Sequence, residues 1–354
     1  MISPTIITGT GLITALGETA AQTWESLLAG GSIRDHARVA GISGDDRCGQ
    51  LAKIAAEQAV RNAGWSREIL SNDRTALIVA TSKGPIESWL RGNVQICGLG
   101  QIAVEVATDL GMNVSPCLTL SAACATGLHG LIRACLGLMA GEFDRVLVVA
   151  AEASVHPLFI GSFQRLGVLP PEGYGCRPFD RQRRGFLMSE AAAALCLQKN
   201  GKPIVKVDRF FMGGDGAHLT AGDPNGQTLR RAIATAYDGR RVDFVHAHAT
   251  GTVLHDPVEL AALEATLRPA DDPLVYSHKA ALGHSLGAAG LVSIVLNCLI
   301  HQTGMVPPNI NTADPLKSRL KISQRVEHKS VRRSLAIASG FGGALAAVSL
   351  ENVE

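Results

Sequence analysis

Aromatic residues make up only 4% of this 354-residue chain and charged residues only 18%, and its formal net charge at pH 7 is just +2. Few aromatic rings leave few surfaces on which nucleic-acid bases could stack, and a near-neutral charge gives no general attraction for phosphate. We therefore expect no nucleic-acid partner. Hydrophobic residues account for 46% of the chain, which favours a large buried core over disorder.

The eight cysteines form no CxxC pair and no regular framework. Several lie in apolar segments, where a free thiol behaves as a small hydrophobic side chain. This pattern argues against a disulfide-stapled secreted protein and indicates a reducing cytoplasm. Residues 1–16 lack a basic stretch followed by a long apolar core, so we expect no signal peptide. We also expect no membrane span, because no uncharged apolar run approaches the necessary ~18 residues.

Helical and β-rich segments alternate along the chain, and their order repeats, which predicts an α/β architecture of two similar halves. The halves are 1–199, which carries Cys124, and 200–354. The predicted segments are 51–63 (helix), 75–80 (strand), 127–139 (helix), 145–150 and 185–198 (strands), then 228–237 (helix), 243–248 (strand), 288–300 (helix) and 334–350 (strand). Cys124 and His284 occupy corresponding places in this scheme, each at the start of a buried helix. The duplication would bring two helix N-termini to one central site.

Cys124 is the strongest candidate nucleophile. It stands in Ala-Ala-Cys-Ala-Thr-Gly, between the apolar stretch 117–120 and the helix-like run 127–139. A thiol at a helix N-terminus faces unpaired N–H groups and the positive end of the helix dipole. Both favour the thiolate, which is the attacking form. The small neighbours on either side leave space for a ligand.

Three further segments contain candidate site residues: His248-Ala-Thr-Gly-Thr, Lys279-Ala-Ala-Leu-Gly-His284, and Gly340-Phe341-Gly-Gly. One cysteine and two histidines on turns of small residues indicate covalent acyl transfer. Strand alternation puts His246 and His248 on the same face, so spacing alone does not choose between them. We expect His246 to be a hydrogen-bonded core residue.

A metal site formed by His248, His284 and His255 is an alternative, but neither HExxH nor a compact His/carboxylate cluster supports it. We therefore expect no metal. Lys279 lies in an apolar stretch, where an unpaired charge would be costly, so it needs a partner. Glu259 is the best candidate for that partner.

These motifs resemble those of the β-ketoacyl-[acyl-carrier-protein] synthases of the elongating, decarboxylating kind, in the thiolase superfamily. The similarity runs from residues 5–17 to residues 339–343, and it includes Arg177-Pro-Phe-Asp and Gly185-Phe-Leu-Met-Ser-Glu. The resemblance implies a thiolase-like five-layer α-β-α-β-α fold built from two similar halves. The segments 31–50 and 84–112 are shorter than usual for the family, which implies a reduced cap and insert.

The resemblance also implies residue roles. Cys124 would take the acyl group from a thioester, and His248 and His284 would donate hydrogen bonds to the oxygen of a malonyl thioester. The Phe341 N–H would join the Cys124 N–H in an oxyanion hole, with the Phe341 ring gating the acyl pocket. The hydroxyls of Thr250 and Thr252 would bind the phosphopantetheine arm.

In similar synthases the residues that match Lys279 and Glu259 form a buried ion pair near the histidines, and Asp256 belongs to the same supporting group. A further glycine-rich loop, 213–220, matches a family loop near the pantetheine channel. Ser339 replaces an aromatic residue that is common in the family, and Ala344-Leu345 replaces the usual Thr-Asn. The acyl chain and the pathway, whether fatty acid, polyketide or another lipid, are therefore not carried over.

The resemblance implies no cofactor, since substrates arrive on the phosphopantetheine of an acyl carrier protein. Because such carriers are acidic, basic residues are expected at the channel mouth, and the candidates are Arg47, Lys53, Arg61, Arg183 and Arg184. A homodimer is expected, and a heterodimer with a second ketosynthase-like subunit stays open. The alternative function is a non-catalytic partner that sets chain length. Thiolases normally carry a second catalytic cysteine near the C-terminus, which 340–343 does not offer.

Overall fold

The computed structural model describes residues 5–44, 46–92, 98–112 and 114–353. Its strands are β1 Thr5–Thr14, β2 Thr75–Ala80, β3 Cys117–Leu120, β4 Arg145–Glu152, β5 Ala191–Gln198, β6 Val205–Gly214, β7 Phe244–His246, β8 Leu274–Tyr276, β9 Met305–Val306, β10 Lys321–Ile322, β11 Glu327–His328, β12 Arg333–Ser339 and β13 Ala344–Glu351. Its α-helices are α1 Ala20–Leu28, α2 Arg47–Ala63, α3 Arg67–Leu70, α4 Ile86–Leu90, α5 Gln101–Leu110, α6 Thr126–Ala140, α7 Pro157–Arg165, α8 Gln227–Tyr237, α9 His255–Thr266, α10 Lys279–Leu282 and α11 Ala289–Thr303. The predicted short segment 84–112 lies partly outside the described residues.

The main sheet has 11 described strands in the order β10-β8-β7-β12-β13-β6-β1-β5-β4-β2-β3. The run β3-β2-β4-β5-β1 has the same order as β8-β7-β12-β13-β6, with β10 added at the edge. In both runs the first three strands are parallel and the remaining pairs are antiparallel. β1 and β6 join the two runs through the pairs from Thr5↔Val207 to Ile7↔Val205. This repeat confirms the prediction of two similar halves. A boundary at residue 199 stays a prediction, and it falls in the connection between β5 and β6.

Helices cover both faces of each half-sheet. α2 and α5 pack on the outer face of the N-terminal half, and α8 and α9 pack on the outer face of the C-terminal half. α6 and α11 lie between the two half-sheets. Alternation along β4 illustrates the packing, because Val148 faces the central helices and Val149 faces the outer ones. The resulting α-β-α-β-α order is the predicted five-layer arrangement.

Two buried stretches, Ala123–Ala140 and Leu286–Thr303, are long and apolar enough to pass a length-and-composition test for a membrane helix. The expectation that no uncharged run reaches this length was therefore wrong for the second stretch. In the structure 61% of the first stretch and 78% of the second stretch are buried inside the protein. They contain α6 and α11, the central layer of the fold. A helix that is apolar on all sides is what this position between two sheets requires.

The prediction of one strand over 334–350 was wrong. The segment forms an antiparallel hairpin of β12 and β13, with a turn at Gly340–Gly343. Gly342 and Gly343 have φ of +78° and +80°, which glycine adopts without strain. The predicted strand runs through this turn because apolar residues flank it on both sides. Likewise, only 191–198 of the predicted strand 185–198 is a strand.

Candidate active site

Cys124 lies between β3 and the first residue of α6, Thr126, as predicted. The preceding Ala123 has a left-handed backbone with φ +48°, a conformation that often accompanies functional sites. The Thr126 hydroxyl holds this turn, since it donates to the Ala123 carbonyl at 2.5 Å and accepts from the Ala122 amide at 2.8 Å. Cys124 is half-buried. The turn therefore presents the thiol at the entry to the central helix.

The predicted thiolate is not the resting form of Cys124. Removal of water raises the pKa of the thiol to about 12, even though the charges of Lys279 and Lys83 lower it and Glu152 raises it further. A buried carboxylate, Glu152, thus opposes the effect of the two lysines. The expectation based on the helix N-terminus missed this burial, because desolvation disfavours any charged group. The thiol must therefore lose its proton during attack.

The turn at Gly340 contacts the cysteine segment directly. A Cβ atom placed on Gly340 would lie 2.9 Å from the Ala122 carbonyl oxygen and 3.1 Å from the Cys124 nitrogen. Neither the Cys124 amide nor the Phe341 amide donates a hydrogen bond to a described residue. Both predicted oxyanion-hole donors therefore belong to adjoining turns, and neither N–H group has an acceptor within the described ranges.

The glycine-rich loop 213–220 supports the Phe341 turn from the other side. The Gly342 amide donates to the Leu219 carbonyl at 2.8 Å, and the Asp215 amide donates to the Gly343 carbonyl at 3.0 Å. A Cβ on Gly343 would meet the Asp215 carboxylate at an impossibly short distance. Glycine is therefore required at Gly343 both for its backbone conformation and for this close approach.

His248 and His284 lie together, with ring centroids 5.5 Å apart in an edge-to-face arrangement. Both are buried. Neither ring nitrogen of His284 has a hydrogen-bond partner among the described residues. Burial, followed by the positive charge of Lys279, holds the pKa of both histidines well below the usual range. Two neutral imidazoles with uncommitted nitrogens are therefore available to a ligand.

His284 differs from the prediction in one respect. It lies between α10 and a short 3₁₀ turn, Leu286–Ala288, and α11 begins only at Ala289. The His284 amide donates to the Leu187 carbonyl at 2.7 Å, which ties the segment to the residues before β5. His284 is thus set one turn away from the α11 N-terminus, unlike Cys124 at the start of α6.

Glu259 on α9 holds the His248 backbone. Its carboxylate accepts the amides of His248 and Ala249, each at 2.7 Å. The predicted ion pair with Lys279 is not formed within 4.0 Å. The Lys279 Nζ donates instead to the carbonyl oxygen of His248 at 2.5 Å, and Glu259 approaches His255 Nε2 at 3.4 Å. Sequence spacing could not show that both charges bind the same main-chain segment.

Asp256 connects two motifs. Its carboxylate accepts the amides of Phe179, from the Arg-Pro-Phe-Asp motif, at 2.8 Å and of Gly251 at 3.1 Å. Burial raises the pKa of Asp256 to about 6, with the His255 charge opposing that rise. Asp256 therefore fixes the loop that follows His248.

Thr250 and Thr252 lie in that same loop, with their hydroxyl oxygens 3.0 Å apart. Arg183 supports the loop by donating to the carbonyls of Thr252 at 3.0 Å and Val253 at 2.6 Å. Sequence reasoning placed Arg183 at a docking surface, but its side chain is buried behind the threonines. Val253 and Leu254, which follow directly, are 58% and 75% exposed.

A small apolar cluster adjoins the thiol. Phe163, Phe186, Met188 and Leu286 belong to its buried part, and Cys124, Phe159 and Phe341 pack against it from partly open positions. The Phe341 ring lies 6.1 Å from Phe163, and the His284 ring lies edge-on to Phe186 at 4.9 Å. The cysteine, one histidine and the predicted gate thus border one apolar wall, which suits an acyl chain.

Sequence reasoning missed several polar residues near the site. His278 joins His246 through a ring-to-ring hydrogen bond of 2.8 Å, and His246 also bonds Asn297 at 2.7 Å, which confirms His246 as a core residue. Glu152 is fully buried and accepts from the Ser82 amide and the Gly287 amide. Only its position at the end of an apolar strand could have drawn attention to Glu152.

The five basic residues predicted to dock the carrier do not lie on one surface. Arg47 is buried in an ion pair with Glu190, and Lys53 pairs with Asp109 at 3.7 Å on the outer face of α2. Arg61 lies on α2 as well. Of the five candidates, Arg183 binds the Thr252 loop directly but is buried. Arg184, which follows it in the chain, is exposed. No group of three or more His, Cys, Asp or Glu side chains in the described part of the chain is arranged to hold a metal ion.

Comparison with known families decides what this arrangement is. Residues 37–202 match the family profile for the N-terminal domain of β-ketoacyl synthases, and residues 205–313 match the profile for the C-terminal domain. The chain belongs to the β-ketoacyl synthase family. As a member, it is a condensing enzyme of the acyltransferase class.

Relatives of this synthase include polyketide β-ketoacyl synthases and 3-oxoacyl-[acyl-carrier-protein] synthases. A putative polyketide β-ketoacyl synthase 1 from Streptomyces halstedii is 28% identical over 415 positions, covering 99% of the chain and 98% of that protein. That alignment is longer than the chain, so the relative has segments that this synthase lacks. The 3-oxoacyl-[acyl-carrier-protein] synthase 2 of Mycobacterium leprae is 30% identical over 64% of the chain and 58% of its own length.

Solved structures match the synthase over its whole length. The ishigamide ketosynthase/chain length factor has a TM-score of 0.88 and 26% identity, with all of both chains covered. A type II polyketide acyl-carrier protein in complex with its ketosynthase matches with a TM-score of 0.90 at 23% identity, again over all of both chains. The latter likeness shows the fold alone, which is the predicted thiolase-like fold.

Proposed function

We propose that the synthase joins an acyl group, held as a thioester on Cys124, to the malonyl unit of a carrier thioester with loss of carbon dioxide. The observation that carries this proposal is the pair His248 and His284. Both imidazoles are neutral, and they lie 5.5 Å apart beside the wall that Cys124 borders. Neutral imidazoles act as hydrogen-bond donors to a developing oxyanion.

In the first half-reaction, Cys124 sulfur attacks the carbonyl carbon of an acyl thioester. The free amides of Cys124 and Phe341 stabilise the tetrahedral oxyanion, with about 3–4 kcal/mol as the scale for one such donor. The thiol proton passes to the leaving sulfur of the carrier arm, so that the carrier departs as a thiol. A neutral imidazole of the histidine pair is suited to move that proton.

In the second half-reaction, His248 and His284 donate to the thioester oxygen of the malonyl unit. The carbon–carbon bond to the carboxylate breaks, carbon dioxide leaves, and the electron pair remains as an enolate that these hydrogen bonds stabilise. The enolate carbon attacks the acyl thioester and forms the new carbon–carbon bond. The Cys124 sulfur leaves and takes up a proton. Lys279 and Glu259 act through the His248 backbone that they hold.

We infer that substrates arrive on the phosphopantetheine arm of an acyl carrier protein. Thr250 and Thr252 offer neutral hydroxyls to the amides of the arm. The exposed side chains of Val253 and Leu254 adjoin this loop. The exposed Arg184 follows Arg183, which binds the loop, so the mouth combines apolar area with positive charge. The chemistry requires no bound cofactor besides the arm. Free thiols at the seven described cysteines are consistent with a reducing cytoplasm.

We also propose that a second subunit pairs along β3. This strand is the free end of the large sheet and its residues are not fully buried, and an edge strand offers unpaired N–H and C=O groups to a partner. The exposed Val104 and Val114 lie nearby in the chain. A second copy of the chain is the simplest partner, and a related ketosynthase-like subunit is the alternative. Native mass spectrometry of the purified chain distinguishes a homodimer from a monomer that needs another subunit.

Intact-mass spectrometry after incubation with a panel of acyl-carrier thioesters tests the reaction. We expect the chain to gain one acyl group, and Cys124→Ala to gain none. His284→Ala should still be acylated but should release little carbon dioxide from a malonyl carrier. Persistent labelling of Cys124→Ala would contradict the assignment of the nucleophile. A wild-type chain that no donor labels would favour the non-catalytic, chain-length-setting subunit.

A further inference from the structure

Hydrogen bonds fix the residues on both sides of Lys83 in the turn after β2. Glu152 accepts from the Ser82 amide at 3.0 Å and from the Ser82 hydroxyl at 2.5 Å. On the other side, the Gly84 amide donates to the Thr81 hydroxyl at 3.0 Å. Gly287, in the turn that follows His284, packs so closely that its Cβ would lie 2.8 Å from the Ser82 nitrogen. Lys83 is therefore held between fixed neighbours rather than on a loose surface loop.

The Lys83 side chain faces the acyl wall. Its Nζ lies over the Phe159 ring, 5.4 Å from the centroid, and Phe159 packs against the same apolar cluster as Cys124 and Phe341. The residue is half-buried. Its charge also reaches the nucleophile, because it lowers the pKa of the Cys124 thiol. A cation thus lies at the edge of the apolar cluster against which Cys124 packs.

No described carboxylate lies within salt-bridge distance of Lys83. The charge of Lys83 lowers the pKa of the buried Glu152, but the Glu152 carboxylate accepts its hydrogen bonds from Ser82, Ser154 and Gly287. A partly desolvated ammonium gains most from an anionic partner. The cation–π contact with Phe159 compensates only in part. The remaining hydrogen-bonding capacity of Lys83 is therefore open to the acyl substrate.

We propose that Lys83 is a specificity-determining residue that makes this synthase prefer acyl groups with a carboxylate at the far end over purely aliphatic ones. The proposal rests on the proposed function, since it concerns the chain that Cys124 receives. An aliphatic chain along the wall would strip water from the ammonium without replacing it. A carboxylate would replace that water with a charge-assisted hydrogen bond, which corresponds to a preference on the order of ten-fold or more.

The test compares matched pantetheine thioesters: succinyl with butyryl, glutaryl with pentanoyl, and adipoyl with hexanoyl. The initial rate of Cys124 acylation is followed by intact-mass spectrometry. We expect the diacid to react about ten-fold faster than its aliphatic partner for at least one chain length. Lys83→Met should abolish or reverse that ratio, and Lys83→Arg should keep it. Lys53→Met, which removes a lysine on the outer face of α2, should leave the ratio unchanged.

Each other result overturns the proposal in a distinguishable way. If aliphatic donors react as fast as diacids at every length, Lys83 does not select the chain. If Lys83→Met slows both members of each pair equally, with the acylation pH profile shifted upward, the lysine only tunes the thiol. If no donor labels the wild-type chain, the proposed function fails together with this inference. Thermal unfolding of each variant shows whether a lost rate reflects a lost fold.

Discussion

Lys279 donates a hydrogen bond to the main-chain carbonyl oxygen of His248 at 2.5 Å, while Glu259 accepts the amide hydrogen of the same histidine at 2.7 Å. Both charged side chains are buried. Burial lowers the pKa of Lys279 to about 8, against the opposing effect of the Glu259 charge. The two groups thus bind the N–H and the C=O of His248. The Lys279 ammonium also disfavours protonation of the His248 ring.

Replacing Lys279 by methionine should leave the His248 carbonyl oxygen buried without this donor. The expected cost is about 1–3 kcal/mol of unfolding free energy, the scale for an unsatisfied buried polar group. Release of carbon dioxide from a malonyl carrier should fall more than Cys124 acylation, because the histidine serves that step. Urea unfolding and single-turnover assays measure the two effects. Lys53→Met is the control, since an exposed ion pair contributes little, and full decarboxylation by Lys279→Met would contradict the role.

Stability should fall as the pH drops below about 6.5, the usual pKa of histidine in an unfolded chain. Burial lowers the pKa of His246 to about 3 and holds those of His248, His278 and His284 well below the usual range. The unfolded chain then binds more protons than the folded one, so unfolding becomes easier in acid. Each such histidine should lower the free energy of unfolding by about 1.4 kcal/mol for each pH unit below that value.

His255 and Asp256 have the opposite sign, because the folded chain raises the pKa of each. Although burial lowers it, contact with Glu259 raises the pKa of His255 overall, so its contribution is complete in acid and is lost as the pH rises past its folded pKa. Urea unfolding at about pH 7.5 and about pH 5.5 gives the net change of unfolding free energy with pH, which the four histidines with lowered pKa values should dominate. His284→Asn removes one of these four histidines and should reduce the number of protons taken up on unfolding by about one. An unchanged slope in that variant would mean that His284 is protonated in the folded protein.

Gly340→Ala should separate the two turns that flank the thiol. The added Cβ would lie 2.9 Å from the Ala122 carbonyl oxygen and 3.1 Å from the Cys124 nitrogen, so the Phe341 turn must shift. Loss of one aligned oxyanion donor predicts a fall in acylation rate of about 100-fold or more. Gly161→Ala in α7 is the matched control, because its Cβ meets nothing within 4 Å. Equal acylation rates in the two variants would argue against an oxyanion hole at this turn.

Arg183→Lys should weaken carrier binding more than chemistry. The guanidinium donates to the carbonyls of Thr252, Val253 and Asp180 at once, a fork that a lysine ammonium does not reproduce. The loop with Thr250 and Thr252 should therefore loosen. We expect KM for the acyl carrier to rise by about ten-fold with a smaller change in kcat. Arg184→Lys is the control: it keeps the charge, and Arg184 makes none of these three contacts, so KM and kcat should stay near their wild-type values.

Much of this architecture was accessible from the residues. β2 has its predicted bounds, and α6 exceeds the predicted helix by one residue at each end. α11 begins one residue later and ends three residues later than predicted. Long apolar runs ended by glycine are strong signals. The β12–β13 hairpin was missed because its strands are apolar on both sides of the turn. The ring pairing of His246 with His278 and the backbone contacts of Lys279 were not predictable, since they join residues that are distant in sequence.

The amino-acid sequence alone determined which groups are available for chemistry: one cysteine before a central helix, two histidines on small-residue turns and a glycine turn around one phenylalanine. Local propensity and apolar patterning act over a few residues, so the chain order suffices for these features. Only the tertiary structure decided the charge of each group and its partner. Desolvation depends on which segments surround an atom, and that is why the Cys124 thiol is protonated and why Lys279 binds the backbone of His248.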